Sequence, residues 1–259
     1  MTRAPFLSLL LAAPALFGQA PTQAPTLDQV LAKHYEAKGG LAKLKAVSSM
    51  RMTAKMSGGP MDFPAVIEAK RPAKFRMDLS IQGNQLTQAY DGKVGWSINP
   101  FQQSAKKDAE PMTPDELREM EVQADLDGPL VDWKEKGHTL ELQGRESVDG
   151  GDTFKLKVVL KNGNIQTTYL DTDSYLEVKT SSKRKIRDTE IETETTFGDY
   201  KEVGGLMLAH AIEGGAKGSP QKQKIVIEKV ELNVPLADER FSMPAKPAAP
   251  PAATTPAKQ

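Results

Sequence analysis

From Ser48 onward, apolar residues recur at every second position, and this period constrains the fold more than any other feature of the chain. Met50, Met52, Ala54 and Met56 alternate with Ser49, Arg51, Thr53 and Lys55, and Phe75, Met77, Leu79 and Ile81 alternate with Lys74, Arg76, Asp78 and Ser80. The pattern returns at Phe154, Leu156, Val158 and Leu160, and again where Ile191, Thr193, Thr195 and Phe197 stand opposite Glu190, Glu192 and Glu194. Successive strand residues point to opposite faces, so each run has one buried and one wet face. Antiparallel sheets look like this, whereas all-parallel sheets read as unbroken apolar runs. Gly83–Asn84, Asp91–Gly92, Asn162–Gly163 and Gly204–Gly205 separate strand-like runs at hairpin spacing. About ten or eleven strands are expected, in a mostly β (α+β) fold.

Three helices interrupt or precede this pattern. Leu27, Val30, Leu31, His34 and Tyr35 share one helical stripe; Thr26 with Gln29 forms a capping box and Gly39–Gly40 a stop. Leu41, Leu44 and Val47 predict a short second helix on the same side. Mid-chain, Thr113-Pro114-Asp115-Glu116 reads as N-cap, proline at the first helical position and capping-box glutamate, with Leu117, Met120 and Ala124 on one face. An amphipathic helix between two halves of a sheet can lie across one face as a lid.

The ends differ in kind from the middle. Arg3 precedes an uncharged apolar stretch, Phe6 to Phe17, interrupted by Pro14 and followed by Ala13-x-Ala15 or Gly18-x-Ala20 as cleavage signals. Residues 1–20 are therefore expected to be a signal peptide, too short to span a bilayer, and the protein a soluble periplasmic one. The chain has no cysteine, so stability must come from an ordinary core rather than disulfides, and no lipid-anchoring cysteine follows the signal. Residues 245–259 are rich in Pro and Ala and are expected to be a disordered tail, leaving 26–244 as one domain. Lys plus Arg is 34 and Asp plus Glu is 34; losing Arg3 with the signal leaves 33 − 34 = −1. Such a balance offers no footprint for nucleic acid, so partners should be recognised by shape and apolar surface, and the protein is expected to be a monomer.

The chain lacks G-x-S-x-G and H-E-x-x-H, and His34, His138 and His210 fall in unrelated elements without metal-ligand spacing. No cofactor, metal or catalytic residue is expected, and the protein is read as not an enzyme. Asp125-x-Asp127-Gly128 begins like a calcium loop but lacks its later ligands, so an Asp-rich turn is the better account. Glu190, Glu192 and Glu194 should lie on the solvated face, paired with Lys179, Lys183 or their neighbours across a hairpin. The apolar face has two readings, a filled core or a cavity. Met50, Met52, Met56 and Met77 suit a surface that repacks around variable ligands, though methionine in a strand is more often plain core.

Between Glu68 and Phe101 the chain resembles the outer-membrane lipoprotein-sorting family, the periplasmic LolA carriers. Lys70-Arg71-Pro72-Ala73-Lys74-Phe75-Arg76 is similar to the family's basic-Pro strand lead-in, and Tyr90 to Phe101 (YDGKVGWSINPF) to its D-G-K-x-x-W-x-x-N-P stretch. Asp238 to Pro244 (DERFSMP) is similar to its closing F-x-x-P segment. The resemblance implies a single curved antiparallel sheet forming an incomplete barrel, its concave face covered by N-terminal and mid-chain helices that move as a lid. It makes Met50, Met52, Phe75, Met77, Leu79, Trp96 and Ile98 the candidate lining for acyl chains, with Trp96 on the concave side. Arg71 matches the arginine that hydrogen-bonds lid backbone to hold it shut. The implied activity is carriage of acylated lipoprotein or lipid cargo toward the outer membrane, between an inner-membrane donor and an outer-membrane acceptor. A lipid-sensing envelope protein that regulates a membrane partner is the alternative.

Overall fold

The computed structural model describes residues 24–101, 108–186 and 189–245; the expected signal segment and nearly all of the expected tail lie outside these. Among the described residues, thirteen strands form one open antiparallel sheet, more strands than alternation alone predicts. The N-terminal half holds β1 (Ser49–Ser57), β2 (Asp62–Lys70), β3 (Lys74–Ile81), β4 (Asn84–Tyr90), β5 (Gly95–Ile98) and the two-residue β6 (Glu110–Pro111). The C-terminal half holds β7 (Thr139–Val148), β8 (Gly151–Val159), β9 (Ile165–Asp171), β10 (Glu177–Ile186), β11 (Thr189–Val203), β12 (Leu206–Ala216) and β13 (Gln223–Leu232). Each half is a meander, and the two join where β1 pairs with β13, giving the order β6-β5-β4-β3-β2-β1-β13-β12-β11-β10-β9-β8-β7.

The helices fall where capping chemistry puts them. Helix α1 (Leu27–Ala37) carries the Thr26/Gln29 capping box, and α3 (Pro114–Gln123) has Thr113 and Glu116 capping each other with proline in the first turn. The short α2 (Leu41–Ala46) follows Gly39, whose backbone at φ 105 lies in the left-handed region that favours glycine. A Cβ there would also stand 2.1 Å from the Gly205 carbonyl oxygen.

All three helices cover the same face of the sheet. Val30 and Leu31 of α1 pack on Phe154, Leu156, Val158 and Leu170. Met120 of α3 and the adjacent Ala124 pack on Ile67, Phe75 and Tyr90, while Leu44 and Val47 meet Val131 and Leu206. Each large apolar side chain so buried contributes about 1.5–3 kcal/mol. The sheet must curl to permit these contacts. Glu119 of α3 pairs with Arg184 on β10 while its neighbour Met120 rests against Phe75 on β3. In a flat sheet those strands, six places apart in the order, would lie about 29 Å from each other, well beyond the roughly 10–12 Å width of one helix. The helix-covered face is therefore concave.

The outer face is sealed differently. After β13 the chain crosses behind β1–β5 as an extended strap ending in a 3-10 turn at Asp238–Arg240. Ser49 Oγ donates to the Val234 carbonyl at 2.6 Å, Lys70 Nζ to Leu236 O at 2.6 Å and Arg76 Nη1 to Arg240 O at 2.8 Å. Under the strap lies Glu68, only 1% exposed, its two carboxylate oxygens taken by Arg51 Nε at 2.8 Å and Arg240 Nε at 2.7 Å.

Candidate functional site

Arg71 stands at the end of β2, its backbone N–H bonded to Ser48 O, with its guanidinium aimed at the helices. Nε donates to Val47 O at 2.6 Å and Nη2 to Leu44 O at 3.1 Å, satisfying carbonyls at the C-terminal end of α2. The fork also grips both carboxylate oxygens of Asp127, at 2.6 and 2.7 Å. Asp127 belongs to the Asp-rich turn after α3, where Lys136 holds Asp125 and the Gly128 carbonyl. One side chain thus ties the N-terminal helices to the segment leaving the mid-chain helix. The backbone bonds go to α2 and a carboxylate serves the α3 side, where sequence resemblance implied backbone bonds to a lid. Burial works to raise the Asp127 pKa, but the hydrogen bonds and charge of Arg71, helped by Lys136 and Lys45, leave it below the ordinary carboxylate value.

On the concave floor, Met50 and Met52 are half-buried and line a partly open hollow of about 160 Å³ together with Phe197, Ile212 and Val230. A second hollow of about 340 Å³ lies at the loop end of β1–β3, between Met56, Phe63, Leu79 and Ile81. Phe75 is buried under α3, and Met77 packs beside it against the same cluster; these two belong to the seal below the helix rather than to an open lining. Phe197, Ile212 and Val230 escape a reading based on the early strands, although their own alternation marks the same face.

Trp96 and Ile98 need correction. Tyr90 is a concave residue and pairs with Gly95, so Trp96, paired with Ala89, and Ile98, paired with Thr87, point to the outer face. Trp96 is 1% exposed beneath the strap, its Nε1 donating to Phe241 O at 2.8 Å and its ring 5.6 Å from the Arg76 guanidinium carbon. The concave position belongs instead to Gly95, where a Cβ would stand 2.8 Å from Met112 Sδ and 3.0 Å from Leu117 Cδ1. Glycine there lets α3 and its lead-in settle close to the sheet.

A further hollow, about 570 Å³, contains none of the candidate residues. It opens beside Arg71, between Pro72, Val122, Pro129 and Leu160, with Lys136 and His138 on its wall. Burial, then the charge of Lys136, lowers the His138 pKa. The glutamates of β11 behave as expected of a solvated face: Lys179 meets Glu194 at 2.8 Å, and Lys217 and Lys183 meet Glu192 at 2.7 and 3.6 Å.

No family model and no curated protein matches the sequence. Solved structures do match. A LolA superfamily protein from Nitrosomonas europaea aligns over 85% of this chain and 98% of its own length at 11% identity, with a TM-score of 0.57. A structure described as an outer membrane lipoprotein-sorting protein domain, from Vibrio parahaemolyticus, aligns over 82% of this chain and 95% of its own length at 15% identity, with a TM-score of 0.49. With its open antiparallel sheet wrapped around covering helices, the chain shares the fold of that LolA superfamily structure.

Proposed function

We propose that the protein binds the acyl chains of lipoproteins or lipids on its concave face and shuttles them through the periplasm toward the outer membrane. The observation that carries this is the half-buried apolar floor around Met50 and Met52, a partly open hollow on the face where the helices, tied through Arg71, seal three neighbouring clusters. A hollow of about 160 Å³ is smaller than the roughly 300–1,000 Å³ typical of occupied pockets, so an acyl chain needs the helices to move and widen it. Burying ten methylenes is worth about 8 kcal/mol, enough to offset breaking a few polar ties. Arg71 is then the latch that favours the closed, empty state and drives release. Residues 1–20 are taken as a signal removed on export and 26–244 as the binding domain, with an inner-membrane donor and an outer-membrane acceptor as partners. Binding, not catalysis, is the activity.

Native mass spectrometry of protein recovered from a bacterial periplasm without detergent tests the proposal. A population heavier by acyl-lipid or lipopeptide masses is expected. A single unliganded mass, even after incubation with lipoprotein and phospholipid vesicles, would exclude carriage.

A further inference from the structure

Only part of the concave face is apolar. Thr168 and Gln166 of β9 pair with Leu156 and Val158, residues on which α1 packs, so they share the concave side. Register then carries that side across β10 and β11: Thr180 lies between Thr168 and Thr195, and Ser182 between Gln166 and Thr193. Two residues further along β10 comes Arg184. A wall of hydroxyls and one guanidinium thus adjoins the apolar floor, which reaches it at Phe197 on β11. Among the described residues, Thr180, Ser182, Thr193 and Thr195 have no side-chain hydrogen bond within the protein, unlike the salt-bridged outward residues of the same strands.

Arg184 is only partly satisfied. Its Nη1 meets the carboxylate of Glu119 on α3, but its Nε is a buried donor with no partner, the one such side-chain atom among the described residues. A guanidinium binds a carboxylate or phosphate best edge-on, through two N–H groups at once. Glu119, held on Nη1, leaves the edge that carries Nε unused.

We propose that this wall is a headgroup site for amphiphiles carrying a single anionic group, a carboxylate or phosphate at the end of an acyl chain. The chain lies on the Met50–Met52 floor, the hydroxyls of β10 and β11 donate to the headgroup, and Arg184 takes its oxygens edge-on. Because the headgroup then shares the arginine's charge with Glu119 and repels its carboxylate, loading weakens the tie of α3 to β10, and the ligand loosens a helix on the same face. The proposal rests on acyl binding to the concave face and narrows it to a chemical class.

The test is fluorescence titration of the full domain with a fluorescent polyene fatty acid, its methyl ester of the same chain length, and inorganic phosphate alone. The acid should bind about tenfold or more tighter than the ester, the yield of one good charge-assisted contact. Arg184→Gln should reduce that ratio to within about twofold. Glu119→Gln, which removes the neighbouring carboxylate charge along with the tie to α3, should tighten the acid more than the ester and keeps the test open if the arginine variant folds poorly. Equal binding of acid and ester, or an unchanged ratio in both variants, would overturn the headgroup site but leave acyl binding intact. Phosphate binding that depends on Arg184 in the absence of lipid would reassign the site to a free anion. If neither acid nor ester binds, acyl binding itself falls.

Discussion

Replacing Arg71 with leucine removes two bonds to α2 carbonyls and the fork on Asp127, and leaves that carboxylate, 10% exposed, without its partner. A fully buried pair broken from one side costs about 3–5 kcal/mol. Arg71 is 30% exposed, and Lys45 and Lys136 still act on Asp127, so the ion-pair part is discounted for solvent screening. With the lost carbonyl bonds, about 2–4 kcal/mol is expected. In a domain of this size that lowers Tm by roughly 4–16 °C. The sharper consequence concerns cargo. If acyl chains bind only when the ties are broken, weakening the closed state should raise apparent affinity by the same free energy, about 30-fold to 1,000-fold. Release to acceptor vesicles should slow correspondingly. The assay pairs thermal unfolding with fatty-acid titration and a release time course, using Asp127→Asn as a milder variant that keeps the arginine and its carbonyl bonds. A lower Tm with unchanged affinity and release would refute the latch and leave Arg71 a structural tie.

Trp96→Phe should cost about 1–2 kcal/mol in denaturant unfolding, through the lost Phe241 bond and weaker cation–π contact, and leave fatty-acid affinity unchanged because the ring faces outward. Glu68→Ala strips the partner from Arg51 and Arg240 and should destabilise by about 3 kcal/mol, measured as a lower guanidinium midpoint at constant m-value. Asp127 has a folded pKa below its ordinary 3.8, so its contribution is fully present well above that value. The contribution should fall as pH drops below about 3.8 through the lower folded value, and Arg71→Leu should flatten this part of the acid-unfolding curve.

The alternation at Met50–Met56 and Phe75–Ile81 revealed both the sheet and its two faces, because a strand buried on one side must place apolar residues two apart. The helices were legible from their caps, whose chemistry is local. Trp96 was misread because β5 is four residues long and follows a turn, so face parity could not be carried from Tyr90. The concave residue there is a glycine, which has no side chain to reveal its side. The β11 side of the wall was visible as alternation, but Arg184 could be matched to Glu119, 65 positions away, only once the sheet curled around α3. Asp127 was noticed for its spacing, yet nothing local assigns it to Arg71. Contacts set by curvature leave no periodic trace.

The seam between the two halves also governs how the chain can fold. Met50 pairs with Leu232, a separation of 232 − 50 = 182 residues, whereas every other strand pair joins neighbours in a meander. Hairpins on either side can assemble early at little loop-closure cost, but the seam must bring together segments from opposite ends of the domain. Until the seam closes, both β1 and β13 are open edges flanked by apolar faces, the surfaces through which partly folded chains associate. The slow step of refolding should therefore be closure of the seam, with the strap and its Glu68 network locking only afterwards.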